Sequence, residues 1–389
     1  MMINTDKATI LIIDDTPANI SLMSGLLQDQ YKIKAATTGK KGLEIAALKP
    51  QPDLILLDIM MPEMDGYEVC KVLKTNPQTV EIPVIFLTAK AESQDEEKGL
   101  KMGAVDYITK PVSPPIALTR IATHIDLYQQ KRALVESQQA LSEEIQEAAL
   151  YIQSLLPKPL ANEGIQSSWQ HIPSSSLGGD AFGYHWIDDD HMAIFLIDVC
   201  GHGVGAAMLC ISAINSIRSE SLTKTDFTSP ASVLNGLNRA FPMEQQNLKY
   251  FTIWYGVYSP SNQTLSYASA GHPHAILLNS NNAQDKEDLI KLGTKGVAIG
   301  CFEDVSYTES KVELKKHNKL YVFSDGVYEI TNKKNEEMTL EEFTKLIQES
   351  FNATTKLQSK EIYSKIKELK NDKGPFVDDF SIVELIFSH

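Results

Sequence analysis

The 389 residues predict an α/β chain in two unlike halves. A doubly wound five-stranded parallel sheet comes first, then a helical segment, then an α+β two-sheet sandwich flanked by helices. Three observations carry that reading. Up to about residue 125, five short β-rich apolar runs alternate with amphipathic stretches. Between Pro115 and Pro157 proline is absent and an apolar residue returns every seventh position. Beyond Pro159 most apolar runs are divided by turns rather than by helices. The domains are expected at 1–125, 126–156 and 157–389, in keeping with typical domain lengths.

The first strands are expected from Thr9 to Ile13, Tyr31 to Ala35, Asp53 to Leu57, Pro83 to Leu87 and Val105 to Ile108. Ligands of such sheets sit at the carboxyl ends of the strands. Here those ends carry Asp14 and Asp15, Asp58, Thr88, and Lys110 before Pro111. Carboxylates that close repel: a pair ~4 Å apart costs about 4 kcal/mol at an effective dielectric near 20. A divalent cation relieves this, and oxygen ligands favour Mg²⁺. The ammonium of Lys110 can hold a phosphoryl oxygen. Asp53 and Asp65 read as turn and capping residues.

This segment resembles the receiver domain of bacterial response regulators. The resemblance rests on Ile12-Ile13-Asp14-Asp15, on Leu56 to Gly66 with Asp58-Ile59-Met60-Met61-Pro62 inside it, on Leu87-Thr88-Ala89, and on Asp106-Tyr107-Ile108-Thr109-Lys110-Pro111. It implies that Asp58 accepts a phosphoryl group, with a sensor histidine kinase upstream. It also implies that Asp14, Asp15, Asp58 and the Met60 carbonyl hold Mg²⁺, that Thr88 and Lys110 bind phosphoryl oxygens, that Tyr107 moves with Thr88, and that the Lys110–Pro111 peptide is cis.

Pro114-Pro115 opens a helix, since proline is tolerated in a first turn. Leu127, Leu134, Leu141, Ala148 and Leu155 then recur in sevens, with Ile145 and Ile152 as a second stripe that Lys131 and Gln138 interrupt earlier. A seven-residue repeat winds helices around one another. The span from Leu127 to Leu155 is roughly 42 Å as helix. It reads as a stalk pairing two copies, with its C-terminal half as the contact; a helix lying across its own chain is the other reading.

In the second half, strands are expected from Ala193 to Val199, Phe251 to Tyr258, Thr264 to Ala268, His274 to Leu278, Lys319 to Phe323 and Ser381 to Phe387. Helices are expected over Val204 to Ser219, Pro230 to Phe241, Leu340 to Ser350 and Ser359 to Leu369. Asp180, Asp198, Asp325 and Asp378 stand at glycines or strand ends, where backbone approaches closely. Such an all-oxygen set matches Mg²⁺ or Mn²⁺, and a pair of such ions suits phosphoryl transfer to water. No phosphate loop or kinase signature is present.

The region from about Leu150 onward resembles the PPM (protein phosphatase 2C-like) phosphatases of the sporulation and stress-response branch. It does so through Leu156-Pro157, Gly178-Gly179-Asp180, Asp198-Val199-Cys200-Gly201-His202-Gly203, Ala270-Gly271-His272-Pro273, Ser324-Asp325-Gly326 and Asp378-Asp379-Phe380-Ser381. The resemblance implies two Mn²⁺ or Mg²⁺ ions held by Asp180, Asp198, the Val199 carbonyl, Asp325, Asp378 and Asp379. It implies hydrolysis of phosphoserine or phosphothreonine on a protein, an anti-sigma-factor antagonist among the candidates. Gly183 stands where many relatives carry another acid.

His272 and His274 have the spacing of a zinc pair, but no third ligand of matching type is near in sequence. His202 is the better candidate to orient water or substrate. His185 and His191 flank an expected hairpin turn at Asp188-Asp189-Asp190.

Net charge is −14, which argues against a nucleic-acid wrapper. Four scattered cysteines fit a reducing cytoplasm, and no apolar run is long enough for a membrane span. The expected function is therefore a cytoplasmic, dimeric response regulator whose Asp58 controls a metal-dependent protein serine/threonine phosphatase. A catalytically silent phosphatase-like adaptor is the alternative.

Overall fold

The computed structural model describes residues 7–88, 99–161, 164–279, 288–350, 357–371 and 374–388. Ala89 of the Leu87-Thr88-Ala89 motif lies outside them. The chain forms two compact units, Met1–Ser142 and Glu143–His389.

In the first unit, strands β1 (Thr9–Ile13), β2 (Lys32–Ala36), β3 (Leu54–Asp58), β4 (Val84–Thr88) and β5 (Asp106–Thr109) form a parallel sheet ordered β2-β1-β3-β4-β5. Alternate side chains feed two cores. Leu11, Ile13, Ile55 and Leu57 pack on one face, and Ile10, Ile12, Leu54 and Leu56 on the other, so both faces of β1 and β3 are apolar up to the strand ends. The order reverses between β1 and β3, which puts Asp14 beside Asp58.

One helix, Pro114–Leu155, follows β5. Ala117, Ile121 and Ile125 are its buried residues, at the spacing of one helical face. Leu127, Leu134 and Leu141 are each more than half exposed. Ile145, Ala149 and Ile152 are half-buried in the second unit. The two stripes thus part company: Leu127, Leu134 and Leu141 face solvent while Ile145 and Ile152 pack on their own chain.

The second unit stacks two antiparallel sheets. One runs β13-β10-β9-β8-β7, built from β7 (Asp180–Trp186), β8 (Met192–Val199), β9 (Phe251–Ser259), β10 (Thr264–Ala270) and β13 (Ser310–Glu313). The other runs β12-β11-β14-β15-β6, built from β6 (Ile165–Ile172), β11 (Ala275–Asn279), β12 (Asp288–Leu292), β14 (Asn318–Phe323) and β15 (Phe380–Phe387). Alternation again assigns the faces. Val383, Leu385 and Phe387 join the core between the sheets, whereas Phe380 and Ile382 face helices Leu340–Ser350 and Ser359–Leu369. Helices Val204–Arg218 and Pro230–Ala240 cover the other sheet. The result is a helix, sheet, sheet, helix sandwich, as expected.

The expected strands and helices form with ends shifted by one or two residues. β6, β7, β12 and β13 are additional. β6 reads Ile-Gln-Ser-Ser-Trp-Gln-His-Ile and β13 Ser-Lys-Val-Glu, too polar to stand out; β7 is broken in pattern by Gly183 and His185. Two charges are also buried in this sheet. Glu384 accepts from the Tyr321 hydroxyl at 3.0 Å and from the Gln358 and Ser359 amides at 2.5 and 2.8 Å, and so caps helix Ser359–Leu369. Lys319 Nζ donates to Gln358 Oε1 at 3.0 Å and lies 3.7 Å from Glu384.

Candidate active sites

In the first unit, Asp14, Asp15 and Asp58 each offer an oxygen within 4.8 Å of the others. Lys110 Nζ donates to Asp14 Oδ2 and Asp58 Oδ1, both at 2.9 Å. Asp14 is further held by the Thr16 amide at 2.9 Å and by Asn19 Nδ2 at 3.0 Å. Burial raises the Asp58 carboxyl above its usual range, against the pull of Lys110. Burial alone would lower Lys110, but its bonds to Asp14 and Asp58 outweigh this and raise it. Met60 is exposed. The Lys110–Pro111 peptide is cis. Thr88 and Tyr107 line one small cavity together with Ile59 and Phe86. The Tyr107 carbonyl accepts from Arg120 Nη1 at 3.0 Å, and the guanidinium lies 5.3 Å from the Tyr107 ring centroid.

In the second unit, the β7–β8 hairpin sets Asp180 opposite Asp198 in register. After β14, the Asp325–Val327 turn and the strand start at Phe380 bring in Asp325 and Asp378. Asp325, Glu329 and Asp378 hold oxygens within 4.8 Å of one another. Asp198 is pushed up to about 8, first by burial and then by Asp325, Asp378, Asp379 and Glu329. Asp325 is pushed up to about 6 by burial, then Glu329 and Asp378. Asp180 is raised well above the usual range by burial, then by Asp198 and Asp379, against the opposing influence of the nearby Ser324 and Ser381 side chains. The four acids singled out in the sequence therefore feel one another.

Glu329 is the addition. It follows Asp325 by four residues and donates its amide to the Asp325 carbonyl at 2.9 Å, so one helical turn carries its carboxylate to the Asp325 side. That spacing was readable but is common on any helix surface.

Asp379, grouped in sequence with the metal ligands, has another use here. Oδ1 accepts from the Ser174 amide at 2.7 Å and hydroxyl at 2.9 Å; Oδ2 accepts from the amides of Gly179 at 2.6 Å and Asp180 at 3.1 Å. It fixes the backbone that carries Asp180. Gly179 permits the close approach: a Cβ there would meet the carbonyl oxygens of Val199 at 2.6 Å and Gly201 at 2.9 Å. At Gly183 a Cβ would strike the Phe195 ring at 2.4 Å, so an acidic side chain has no room there.

None of the histidines joins a three-ligand group with these acids among the described residues. His202 is exposed. His272 is buried with Nδ1 2.9 Å from the Pro273 carbonyl, and neither it nor His274 joins a three-ligand group among the described residues. Asp188 holds His191 Nδ1 at 2.9 Å, and Asp190 accepts from Ser259 and Ser261, so the expected turn is closed by protein donors.

The residues fit divalent cations. Asp180 Oδ2 is buried with no hydrogen-bond partner, the donor set is all oxygen, and burial with mutual repulsion holds Asp198 and Asp325 partly protonated at neutral pH. A carboxyl raised in the folded state binds more protons there than in the unfolded chain, so its contribution to stability is lost as pH rises through the folded value. The metal-free protein should melt at a lower temperature at about pH 8.5 than at about pH 5.5. Excess Mn²⁺ should raise the midpoint more at the higher pH. Scanning calorimetry at both pH values checks this; a Mn²⁺ effect independent of pH contradicts it.

Residues 188–387 match the family model of stage II sporulation protein E, and residues 10–122 that of the response regulator receiver domain. Phosphoserine phosphatase RsbU of Bacillus subtilis is 30% identical over 260 residues, covering 66% of this chain and 74% of that protein. A probable cyclic di-GMP phosphodiesterase of Vibrio cholerae is 49% identical over 144 residues, 37% of this chain and 32% of that protein. The chain thus spans about a third of the length of that relative. The SiaA-PP2C domain of Pseudomonas aeruginosa shares the fold at a TM-score of 0.54 and 20% identity, over 65% of this chain and 99% of that one.

Proposed function

Because the chain belongs to the stage II sporulation protein E family and carries a response regulator receiver domain, we propose that it is a two-component regulator whose Asp58 phosphorylation controls a metal-dependent protein serine/threonine phosphatase. The observation that carries the reading is the gathering of Asp325, Glu329 and Asp378 beside half-buried Asp198. Similarity to the phosphoserine phosphatase RsbU supports phosphoserine as the target, with an anti-sigma-factor antagonist as the candidate protein.

Asp180, Asp198, Asp325 and Asp378, with Glu329 and the Val199 carbonyl, would hold two Mn²⁺ or Mg²⁺ ions; Asp14, Asp15, Asp58 and the Met60 carbonyl would hold Mg²⁺ in the receiver. Such ions, when bound, polarise phosphoryl oxygens and acidify water. Asp379 keeps Gly179 and Asp180 in place, so the site is set before substrate arrives. Lys110 is poised to meet a phosphoryl oxygen on Asp58.

In the receiver, a phosphoryl group on Asp58 draws Thr88 and Lys110 toward it, and Tyr107 shares a cavity with Thr88. Tyr107 in turn touches Arg120 of the long helix, which gives the signal a physical exit. The exposed Leu127, Leu134 and Leu141 stripe is the face by which two copies would pair. A histidine kinase is the upstream partner in this reading. The cytoplasm is its compartment, in keeping with free Cys70, Cys200, Cys210 and Cys301.

The test is phosphate release from a phosphoserine peptide by the full chain. Release that requires Mn²⁺ or Mg²⁺ and stops with chelator is expected. Peptide binding without release, at any metal concentration, would return the adaptor reading.

A further inference from the structure

A groove of ≈ 910 Å³ runs beside helix Ser359–Leu369. Among the described residues, exposed Lys333 and Lys367 stand along it with one acid, Glu368, over a floor that includes Tyr363, Phe376 and Ile172; Lys370 is buried beneath them, its ammonium donating to the Gly374 carbonyl at 3.2 Å. Its walls are tied together. The Lys333 amide donates to the Leu369 carbonyl at 3.1 Å, and the Asn371 amide to the Thr331 carbonyl at 3.0 Å. Tyr363 and Phe376 pack with ring centroids 6.2 Å apart. Lys367 Nζ lies 5.8 Å from the Tyr363 ring centroid, and Lys370 Nζ 6.0 Å from that of Phe376.

Three residues of the groove stand on segments that continue to the acids of the cluster. Phe376 is two residues from Asp378, so the chain between them spans at most about 7 Å. Lys333 follows Glu329 by four residues. Ile172 pairs in register with Phe380 and begins the segment that ends at Asp180. A net-acidic chain with an acidic centre therefore places a lysine-lined, aromatic-floored channel next to that centre. An acidic peptide would be repelled by the cluster's rim and attracted by the channel, which gives a bound segment one orientation.

We propose that this groove binds an acidic segment flanking the phosphoserine of the substrate protein, and so selects substrates by charge. The inference rests on the phosphatase reading above. Lysine stems and aromatic faces suit an extended peptide, with the stems packing along its backbone and the ammonium groups meeting carboxylates.

The experiment uses the full chain with Mn²⁺ and three probes: p-nitrophenyl phosphate, a phosphoserine peptide with aspartates and glutamates on both sides, and the same peptide with asparagines and glutamines instead. The acidic peptide should show a kcat/KM about tenfold above the neutral one, the factor a few exposed charge pairs supply. The advantage should shrink with added salt. Lys333→Glu with Lys367→Glu should reverse the preference, and Lys333→Gln with Lys367→Gln should erase it, both leaving p-nitrophenyl phosphate turnover unchanged. Equal kcat/KM for the two peptides, or a preference that survives both double variants, overturns the groove while turnover of p-nitrophenyl phosphate keeps the enzyme reading. Failure of the wild type to turn over p-nitrophenyl phosphate overturns the enzyme reading and the groove with it.

Discussion

Asp198→Asn should abolish phosphate release while making the metal-free protein more heat-stable. Asp198 is half-buried beside Asp325, Asp378, Asp379 and Glu329, and that environment pushes its carboxyl up to about 8. As a ligand it is expected to be indispensable. Neutralising it should cost three orders of magnitude or more in kcat/KM, ~4 kcal/mol of transition-state stabilisation. As a structural element it is a liability, because an unpaired buried charge among like charges destabilises the fold. Melting without metal at about pH 8, where the wild-type carboxylate is substantially ionised, should show the variant above the wild type. With Mn²⁺ the order should invert, since only the wild type gains the binding energy of the ion. A variant that keeps its activity would move catalysis to another site.

Asp58→Asn should remove all labelling by a small-molecule phosphodonor such as acetyl phosphate, and with it every response of phosphatase rate to that donor. Asp58 is the buried carboxylate on β3 that Lys110 holds at 2.9 Å, and an amide cannot form the acyl phosphate. The contact between Tyr107 and Arg120 offers a second handle. Arg120→Ala should still be labelled, yet its phosphatase rate should respond less than that of the wild type, because the helix no longer feels Tyr107. Labelling and rate are read in the same sample. If wild-type rate and oligomeric state stay constant while label accumulates, the two domains act independently.

Much of both sites was legible in the residues. In the receiver, the acids, Thr88 and Lys110 stand at the ends of strongly apolar strands, so period and position coincide. In the second unit, Asp180 and Asp325 sit beside glycines and Asp198 and Asp378 near strand ends, a local pattern that survives without knowledge of the fold. What was not legible depends on contacts distant in sequence. Asp379 looks like a ligand next to Asp378, and only the fold shows that its oxygens also accept from Ser174, Gly179 and Asp180, some 200 residues away. Glu329 looks like any polar residue after a turn until Asp378 is brought to it. Lys319 and Glu384 are charged residues inside strands, and only their mutual burial under helix Ser359–Leu369 explains them. The long helix shows the same limit. Its heptad was visible, whereas the choice between the leucine and isoleucine stripes for covering its own chain was decided by packing.

Titration of Mn²⁺ into metal-free full-length protein by calorimetry, for the wild type and for Asp325→Asn, bears most directly on the acid cluster. Two ions per second unit are expected for the wild type, beyond any taken up at Asp14, Asp15 and Asp58, with protons released on binding as Asp198 and Asp325 ionise. Loss of at least one of these ions in Asp325→Asn completes the prediction. A titration of the wild type that shows binding only at the receiver acids, with the Asp325→Asn trace superimposed on it, would contradict the proposed metal centre.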